Sequence, residues 1–125
     1  MILLDSSVLI DLFRKENKEK TLLYKLSQTE TSFGISAITH YEIGIGNKKS
    51  YNEFWNKLYN NLTVIPFDKA CSTTAIEIYL DLKKKNKIID IADLLIGATA
   101  LTYNLKIATL NHKHFSKITG IEIIK

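Results

Sequence analysis

The sequence of 125 residues contains one cysteine and one proline, and it has no long apolar run. A disulfide needs two cysteines and a zinc site needs several ligands, so Cys71 alone can build neither. We expect Cys71 to be a small buried side chain in a protein of the reducing cytoplasm. Apolar runs such as residues 94–96 are far too short to span a membrane. Residues 1–5 lack the basic lead-in of a signal peptide and are expected to begin a strand.

The composition is that of an ordinary globular domain, with 46% apolar and 24% charged residues. We predict a single domain over residues 1–125, because this length leaves no room for two independent cores. The formal net charge of +4 weakly favours a nucleic acid or an acidic protein as partner. The densest basic cluster, residues 83–87, either complements a helix C-terminus or contacts such a partner, and the two interpretations are compatible.

Short apolar runs alternate with helical patterns along the chain. Strands are predicted at residues 2–4, 32–35, 62–65 and 106–109, with a possible fifth at 121–124. Helices are predicted at residues 7–15, 19–28, 37–45, 51–60, 69–82 and 92–103, with Ser6, Ser36 and Asp68 as capping candidates. This alternation predicts an α/β three-layer sandwich: a central parallel sheet of four to five strands with helices on both faces. In such sheets, ligands bind beyond the carboxyl ends of the strands.

Three acids lie at positions where that rule predicts a ligand site. Asp5 directly follows the first strand, Glu42 lies in the helix after the second, and Asp93 begins the apolar helix before the fourth. Taken singly, each has an ordinary structural explanation: a turn or cap, a solvated helix position, and a favourable helix N-terminus. Together they place carboxylates beside apolar core, which is costly unless they are paired, hydrogen-bonded or metal-bound. A hard cation such as Mg²⁺ or Mn²⁺ would relieve their repulsion, attract phosphate and generate hydroxide.

Four segments, in order, carry a resemblance to PIN-domain ribonucleases, and within them to VapC-type toxins. The opening motif is similar to residues 4–11, with Asp5 followed by Ser6, and the second to residues 36–43, with its glutamate at Glu42. The third resembles residues 91–100 around Asp93, and the fourth residues 107–115, with Thr109 and Asn111. Each motif is loose, but the ordered set covers nearly the whole chain.

The resemblance implies a PIN-like sandwich and a Mg²⁺- or Mn²⁺-dependent endoribonuclease. By position, Asp5, Glu42 and Asp93 would be catalytic metal ligands, and Asn111 would complete the catalytic set. Asn111 stands where many members have aspartate, which puts a second tightly bound metal in doubt. Two rival interpretations remain: a PIN-like binding module without activity, and another aspartate-dependent α/β enzyme such as a phosphotransferase.

Further roles follow from the same resemblance. Ser6 would hydrogen-bond a carboxylate or the substrate phosphate, and Thr109 would line the substrate site. The expected partners are an RNA substrate and a VapB-like antitoxin that inserts Arg or Lys towards the three acids. We also predict a homodimer, because the aromatic stretch 51–59 and the helix before it offer apolar surface beyond what a small core can bury. The alternatives for these aromatics are core packing and base stacking.

Several polar residues near these motifs are ambiguous. Asp90 is interpreted as a helix cap, with a place at the metal as the alternative, and Asp11 as structural. The three histidines, His40, His112 and His114, are interpreted as solvated. For His112 and His114 the reason is their spacing, which points them to different sides of a helix.

Overall fold

The computed structural model describes residues 1–124 and has a four-stranded parallel sheet at its centre. The strands are β1 (Ile2–Leu4), β2 (Phe33–Ser36), β3 (Thr63–Ile65) and β4 (Lys106–Ala108), in the order β3-β2-β1-β4. In the central register, Leu3 is paired with Gly34 on one side and Ile107 on the other. The α/β prediction is therefore confirmed, and the carboxyl ends of all four strands lie along one edge of the sheet.

The possible fifth strand is reduced to one bridge. Ile123 pairs with Ile107 in parallel fashion, and Ile107 is bonded through its N–H to Glu122 O and through its carbonyl to Ile124 N, both at 2.9 Å. The possible fifth strand at residues 121–124 is therefore an extended segment beside β4 that forms a single bridge.

Seven helices cover the sheet in the part of the chain that is described. They are α1 (Ser6–Arg14), α2 (Leu22–Ser27), α3 (Ala37–Gly46), α4 (Asn52–Tyr59), α5 (Lys69–Lys84), α6 (Ile91–Thr102) and α7 (His112–Phe115). Short 3-10 turns at Lys18–Lys20 and Lys49–Tyr51 precede α2 and α4. Among residues 1–124, no helix is both long and apolar enough to cross a membrane.

Two of the predicted helix caps are confirmed and one is wrong. The side chains of Ser36 and Asp68 accept hydrogen bonds from the backbone N–H groups of Ile38 (3.0 Å) and Cys71 (2.9 Å). Ser6 is instead the first residue of α1, with Asp5 in the cap position. The helix predicted at 19–28 is divided because the Thr21 hydroxyl caps α2, accepting from Tyr24 N at 3.2 Å.

The alternation of side chains along β1 separates two cores. Leu3 packs with α5 and α6 on one face of the sheet, whereas Ile2 and Leu4 pack with α1 to α4 on the other. Leu3 and Leu4 are fully buried, and each such side chain contributes roughly 1.5–3 kcal/mol of hydrophobic stabilisation. Cys71 is also fully buried, as expected. The two cores hold the end of β1 rigidly from both sides.

The aromatic stretch 51–59 belongs mainly to the second core. Trp55 is only 5% exposed, and its ring stacks on Phe13 with centroids 5.2 Å apart. Phe54 contacts both rings edge-on. Core packing, one of the alternatives for these aromatics, therefore accounts for Phe54 and Trp55. Tyr51 is nevertheless exposed, and so are Tyr41 and Ile45 on α3, the helix before this stretch, so part of the surface expected to form a dimer face is accessible.

Candidate active site

Asp5 occupies the edge of the sheet where β1 ends. Its backbone N–H donates to Ala108 O at 2.9 Å, which extends the pairing of β1 with β4 by one residue. The side chain is almost completely buried, and its Oδ2 accepts hydrogen bonds from Ser7 (2.7 Å) and Thr109 (2.8 Å). A buried carboxylate is tolerated when such donors replace water. Strand pairing and two hydroxyls thus fix Asp5 at the sheet edge.

Ser7 is a site residue that the sequence interpretation missed. Its hydroxyl donates to Asp5 and also accepts from the backbone N–H of Leu110 at 3.0 Å. The Thr109 hydroxyl similarly accepts from Asn111 N at 2.8 Å while it donates to Asp5. These two hydroxyls therefore tie the start of α1 to the segment after β4. The available signal was a second serine beside Ser6, but the resemblance drew attention only to the first.

Glu42 approaches from α3, six residues after the end of β2. Ser6 Oγ donates to its Oε1 at 2.7 Å and lies 3.3 Å from the hydroxyl of the fully buried Thr39. Burial raises the pKa of Glu42 above its ordinary value, the Ser6 hydrogen bond opposes this rise, and the charges of Asp5, Asp93 and Asp90 add to it. The raised pKa shows that Glu42 lies in a partly desolvated and negatively charged environment.

Asp93 lies in the first turn of α6 with its side chain 13% exposed. Its Oδ2 is 3.1 Å from Asn111 Nδ2 and 2.9 Å from His114 Nδ1. Burial raises the pKa of Asp93, the His114 hydrogen bond lowers it, and the negative charges of Asp5 and Asp90 raise it further. The charge of Asp5 therefore acts on both Glu42 and Asp93.

The interpretation of His114 as solvated is wrong. Spacing along the helix does separate His112, which is exposed, from His114, but α7 follows Asn111 directly and turns His114 towards Asp93. His40 is exposed, and its ring packs near that of Tyr59. Among the three histidines, only His114 contacts a site acid.

The expected cap at Asp90 is also wrong in its detail. Asp90 occupies the position before α6, but its exposed side chain makes no capping hydrogen bond. Its charge contributes to the raised pKa of Glu42 and of Asp93. Asp11 pairs with Lys15 within α1 at 3.1 Å, consistent with a structural role.

The acids do not form a tight preformed metal cluster. Among residues 1–124, no three His, Cys, Asp or Glu side chains are grouped closely enough to hold an ion as they stand. Nevertheless, each of the three acids uses only one oxygen in the hydrogen bonds described above, and the second oxygen has no side-chain donor within the described chain. Carboxylate oxygens are the hard donors that Mg²⁺ and Mn²⁺ prefer, so the chemistry of these residues suits a divalent cation.

Comparison with known proteins shows the family of this chain. The family model described as PIN domain matches residues 2–121. The chain belongs to the PIN domain family. Ribonuclease VapC1 of Methanocaldococcus jannaschii is 35% identical over 94% of this chain and 80% of its own length. Ribonuclease VapC of Rickettsia bellii is 30% identical over 98% of this chain and 94% of its own length.

Solved structures of PIN domain proteins share the fold over almost the entire chain. FitAcB from Neisseria gonorrhoeae is 26% identical with a TM-score of 0.84, covering 100% of this chain and 97% of that one. DNA-bound VapBC from Salmonella typhimurium has a TM-score of 0.88 at 23% identity, covering 99% and 98% of the two chains. At that identity the second likeness shows the fold alone.

Proposed function

We propose that this PIN domain protein is a metal-dependent endoribonuclease and the toxin of a VapBC-type toxin–antitoxin pair. Its relatives at 30–35% identity are named VapC ribonucleases. The observation that carries the proposal is the arrangement of Asp5, Glu42 and Asp93, each with one oxygen fixed by the protein and one left for a cation. Such a set at the carboxyl edge of a parallel sheet suits hydrolysis of a phosphodiester bond.

The three acids would hold Mg²⁺ or Mn²⁺, which supplies charge neutralisation at the phosphate and an activated water. The surrounding side chains keep the carboxylates in place. Ser7 and Thr109 fix Asp5, Ser6 fixes Glu42, and His114 together with Asn111 fixes Asp93. Partners of this kind, one layer behind the ligands, commonly determine metal affinity.

Asn111 has a positioning role in this proposal. Its amide donates to Asp93 and adds no negative charge, so the site contains one carboxylate fewer than a four-acid version. A site with fewer carboxylates has less capacity for a second tightly held cation. Substitution of the fourth acid is thus compatible with hydrolysis and favours a single cation.

An antitoxin is the second partner in this proposal. The solved relatives include VapBC-1 from Haemophilus influenzae and a toxin–antitoxin complex from Klebsiella pneumoniae. In this chain, a hollow of about 310 Å³ beside Glu42 is lined by apolar side chains such as Ile10, Phe13 and Trp55. An antitoxin segment seated there would bring an Arg or Lys to the acids.

We also propose that the protein is a cytoplasmic homodimer. Trp55 is internal, but two surfaces carry apolar side chains that are more than half exposed: Tyr41 and Ile45 on α3, and Ile76, Tyr79 and Leu80 on α5 with Ile91 on α6. A patch of that kind often marks an interface. Sedimentation that gives only monomer at micromolar concentration would contradict the dimer.

Cleavage of RNA tests the proposal directly. Purified protein is mixed with total RNA and Mn²⁺ or Mg²⁺, with and without chelator, in parallel with Glu42→Gln. We expect cleavage only with metal and only with the unsubstituted protein, since Gln cannot provide the anionic oxygen. RNA binding without cleavage under every metal condition would instead support the inactive binding module. Growth arrest on expression, relieved by co-expression of a neighbouring small reading frame, would test the toxin assignment.

A further inference from the structure

Four lysines from separate parts of the chain lie around the segment that leads into α6. Lys83 lies in the last turn of α5, Lys87 lies in the following loop, and Lys113 and Lys117 lie in and just after α7. We refer to Lys83, Lys87, Lys113 and Lys117 as the lysine flank. Lys113 and Lys117 lie outside α5, so the dipole of that helix does not account for them, whereas Lys83 and Lys87 lie at its C-terminal end.

Contacts place three members of the lysine flank around the loop that leads into α6, the helix that carries Asp93 in its first turn. Lys117 Nζ donates to Ile88 O at 3.3 Å, which joins the end of α7 to the loop before α6. Lys83 and Lys87 line a hollow of about 220 Å³ together with Leu94, the neighbour of Asp93. Lys113 directly precedes His114, whose ring contacts Asp93. Three segments thus converge at the N-terminal end of α6.

The positive charges of the lysine flank are not neutralised by the protein. Within residues 1–124, none of its four members has a salt-bridge partner, whereas their neighbour Lys85 pairs with Asp81 at 3.0 Å. Lys15 and Lys106 also pair with acids, whereas other described lysines, among them Lys20, Lys25 and Lys69, lack a salt bridge as the flank members do. Three flank members are exposed and Lys117 is half-buried. Four like charges held together without counter-ions repel one another, which an anionic ligand would relieve.

The site itself requires a positive neighbour if its substrate is a polyanion. Asp5, Glu42, Asp90 and Asp93 are all acidic, and a pocket of this kind repels the phosphates on either side of the reacting one. Lys87 precedes Asp90 by three residues, which is at most about 11 Å of extended chain. The lysine flank is therefore within a few nucleotides of the acids.

We propose that the lysine flank binds the backbone phosphates of the RNA strand adjacent to the phosphate that is cleaved. The inference rests on the proposed function and specifies the route by which RNA reaches the site. Lysine ammonium groups act as point charges on phosphate, so this contact contributes affinity and orientation but no sequence preference. Each phosphate neutralised on a single strand contributes about −0.7 to the slope of log K against log salt.

The test compares two sets of four substitutions that change the net charge equally. The flank variant carries Lys83→Gln, Lys87→Gln, Lys113→Gln and Lys117→Gln. The matched control carries Lys20→Gln, Lys25→Gln, Lys69→Gln and Lys106→Gln. Lys69 begins α5 next to Asp68, and the Asp68 side chain contacts Tyr103, which follows the C-terminal end of α6. Lys69 is therefore at the opposite end of α6 from Asp93. Both sets are made in a Glu42→Gln background so that RNA is bound and not cleaved, and thermal unfolding checks that each protein folds.

Fluorescence anisotropy of a labelled single-stranded RNA is measured across a series of KCl concentrations. We expect the flank variant to flatten the salt slope by about 3, as four phosphate contacts would require, and the control to keep the parent slope. Equal weakening in both sets, which would mean net charge alone, overturns the proposal, as does no change in the flank variant. If the flank variant unfolds, the triple variant that retains Lys117 takes its place, with an expected flattening of about 2.

Two further measurements test whether the lysine flank binds a different anionic ligand, and whether a negative result concerns the flank or the proposed function. In the first, binding to anionic phospholipid vesicles is measured with the same variants. Vesicle binding that is lost in the flank variant, together with RNA binding that is unchanged in it, would overturn the assignment to RNA. If the unsubstituted protein cleaves RNA while the flank and control variants bind RNA equally, the role of the lysine flank is contradicted and the proposed hydrolysis is not. Absence of cleavage, with RNA binding that still depends on the flank, contradicts the hydrolysis and supports the flank.

Discussion

His114 Nδ1 lies 2.9 Å from Asp93 Oδ2, the same oxygen that Asn111 Nδ2 approaches at 3.1 Å. The two nitrogens are themselves 2.8 Å apart. A carboxylate that accepts from both requires a proton on Nδ1, because the alternative tautomer would set two lone pairs against each other. Asp93 is therefore held through one oxygen by two donors, and its other oxygen has no side-chain donor in the described chain.

Replacement of His114 by Ala is expected to weaken Mn²⁺ binding and RNA cleavage about tenfold, the lower end of the range for residues behind metal ligands. Stability should change little, because the side chain is 41% exposed. Asn, whose amide can reproduce the Nδ1–H donor, should restore part of the loss. His112→Ala, the exposed neighbour, is the control. Titration of Mn²⁺ by calorimetry gives the affinity, and equal behaviour of the His112 and His114 variants would contradict the role.

Removal of the Ser7 hydroxyl is expected to lower stability as well as activity. Ser7→Ala deprives Asp5 of one donor and Leu110 N of its acceptor, a loss of about 1–2 kcal/mol for partly buried groups. Ser27→Ala is the matched control, since that hydroxyl is exposed and bonds only locally to Tyr24 O and Gln28. Urea unfolding gives the free energy of unfolding of both variants. A Ser7 variant as stable as the Ser27 variant would show that these hydrogen bonds do not hold the sheet edge together.

The fold and the acids followed from local patterns, whereas the supporting residues did not. Asp5 was predictable because a polar residue directly after a buried strand lies at the sheet edge whatever the rest of the chain does. His114 was not, because its contact with Asp93 depends on how α7 packs against α6, 21 residues away in sequence. Ser7 is similar: its bond to Leu110 N joins segments that are distant along the chain. The expected cap at Asp90 was wrong in that its side chain makes no capping hydrogen bond.

The pH dependence of stability without metal has a defined sign. Burial raises the pKa of Glu42 and of Asp93 above their ordinary values of 4.5 and 3.8. The folded protein therefore binds more protons than the unfolded chain just above those values. The stability that these groups contribute is fully present below the unfolded pKa and is lost as pH rises through the folded pKa.

Thermal unfolding in chelator should therefore show stability that decreases with pH across the window immediately above 4.5, and Glu42→Gln should flatten this dependence. With saturating Mn²⁺ the direction should reverse, because metal binding requires ionised carboxylates. A control is Glu53→Gln, which removes an exposed acid in a surface pair with Lys57. Identical pH profiles for the Glu42 and Glu53 variants would contradict the raised pKa.

Asp93→Asn separates a metal ligand from a residue that merely favours a helix start. A ligand in a negatively charged site is repelled by Asp5 and Asp90, so removing its charge should leave stability in chelator level or higher. Mn²⁺-dependent cleavage should fall by orders of magnitude, because the anionic oxygen is gone. If Asp93 only begins α6, Asn serves about as well, and stability should change by a few tenths of a kcal/mol with activity retained. Asp81→Asn, an exposed acid paired with Lys85 on α5, should leave cleavage unchanged. Unfolding in chelator and cleavage in Mn²⁺ are measured on the same samples, and an Asp93 variant that cleaves normally would remove the main support for the site.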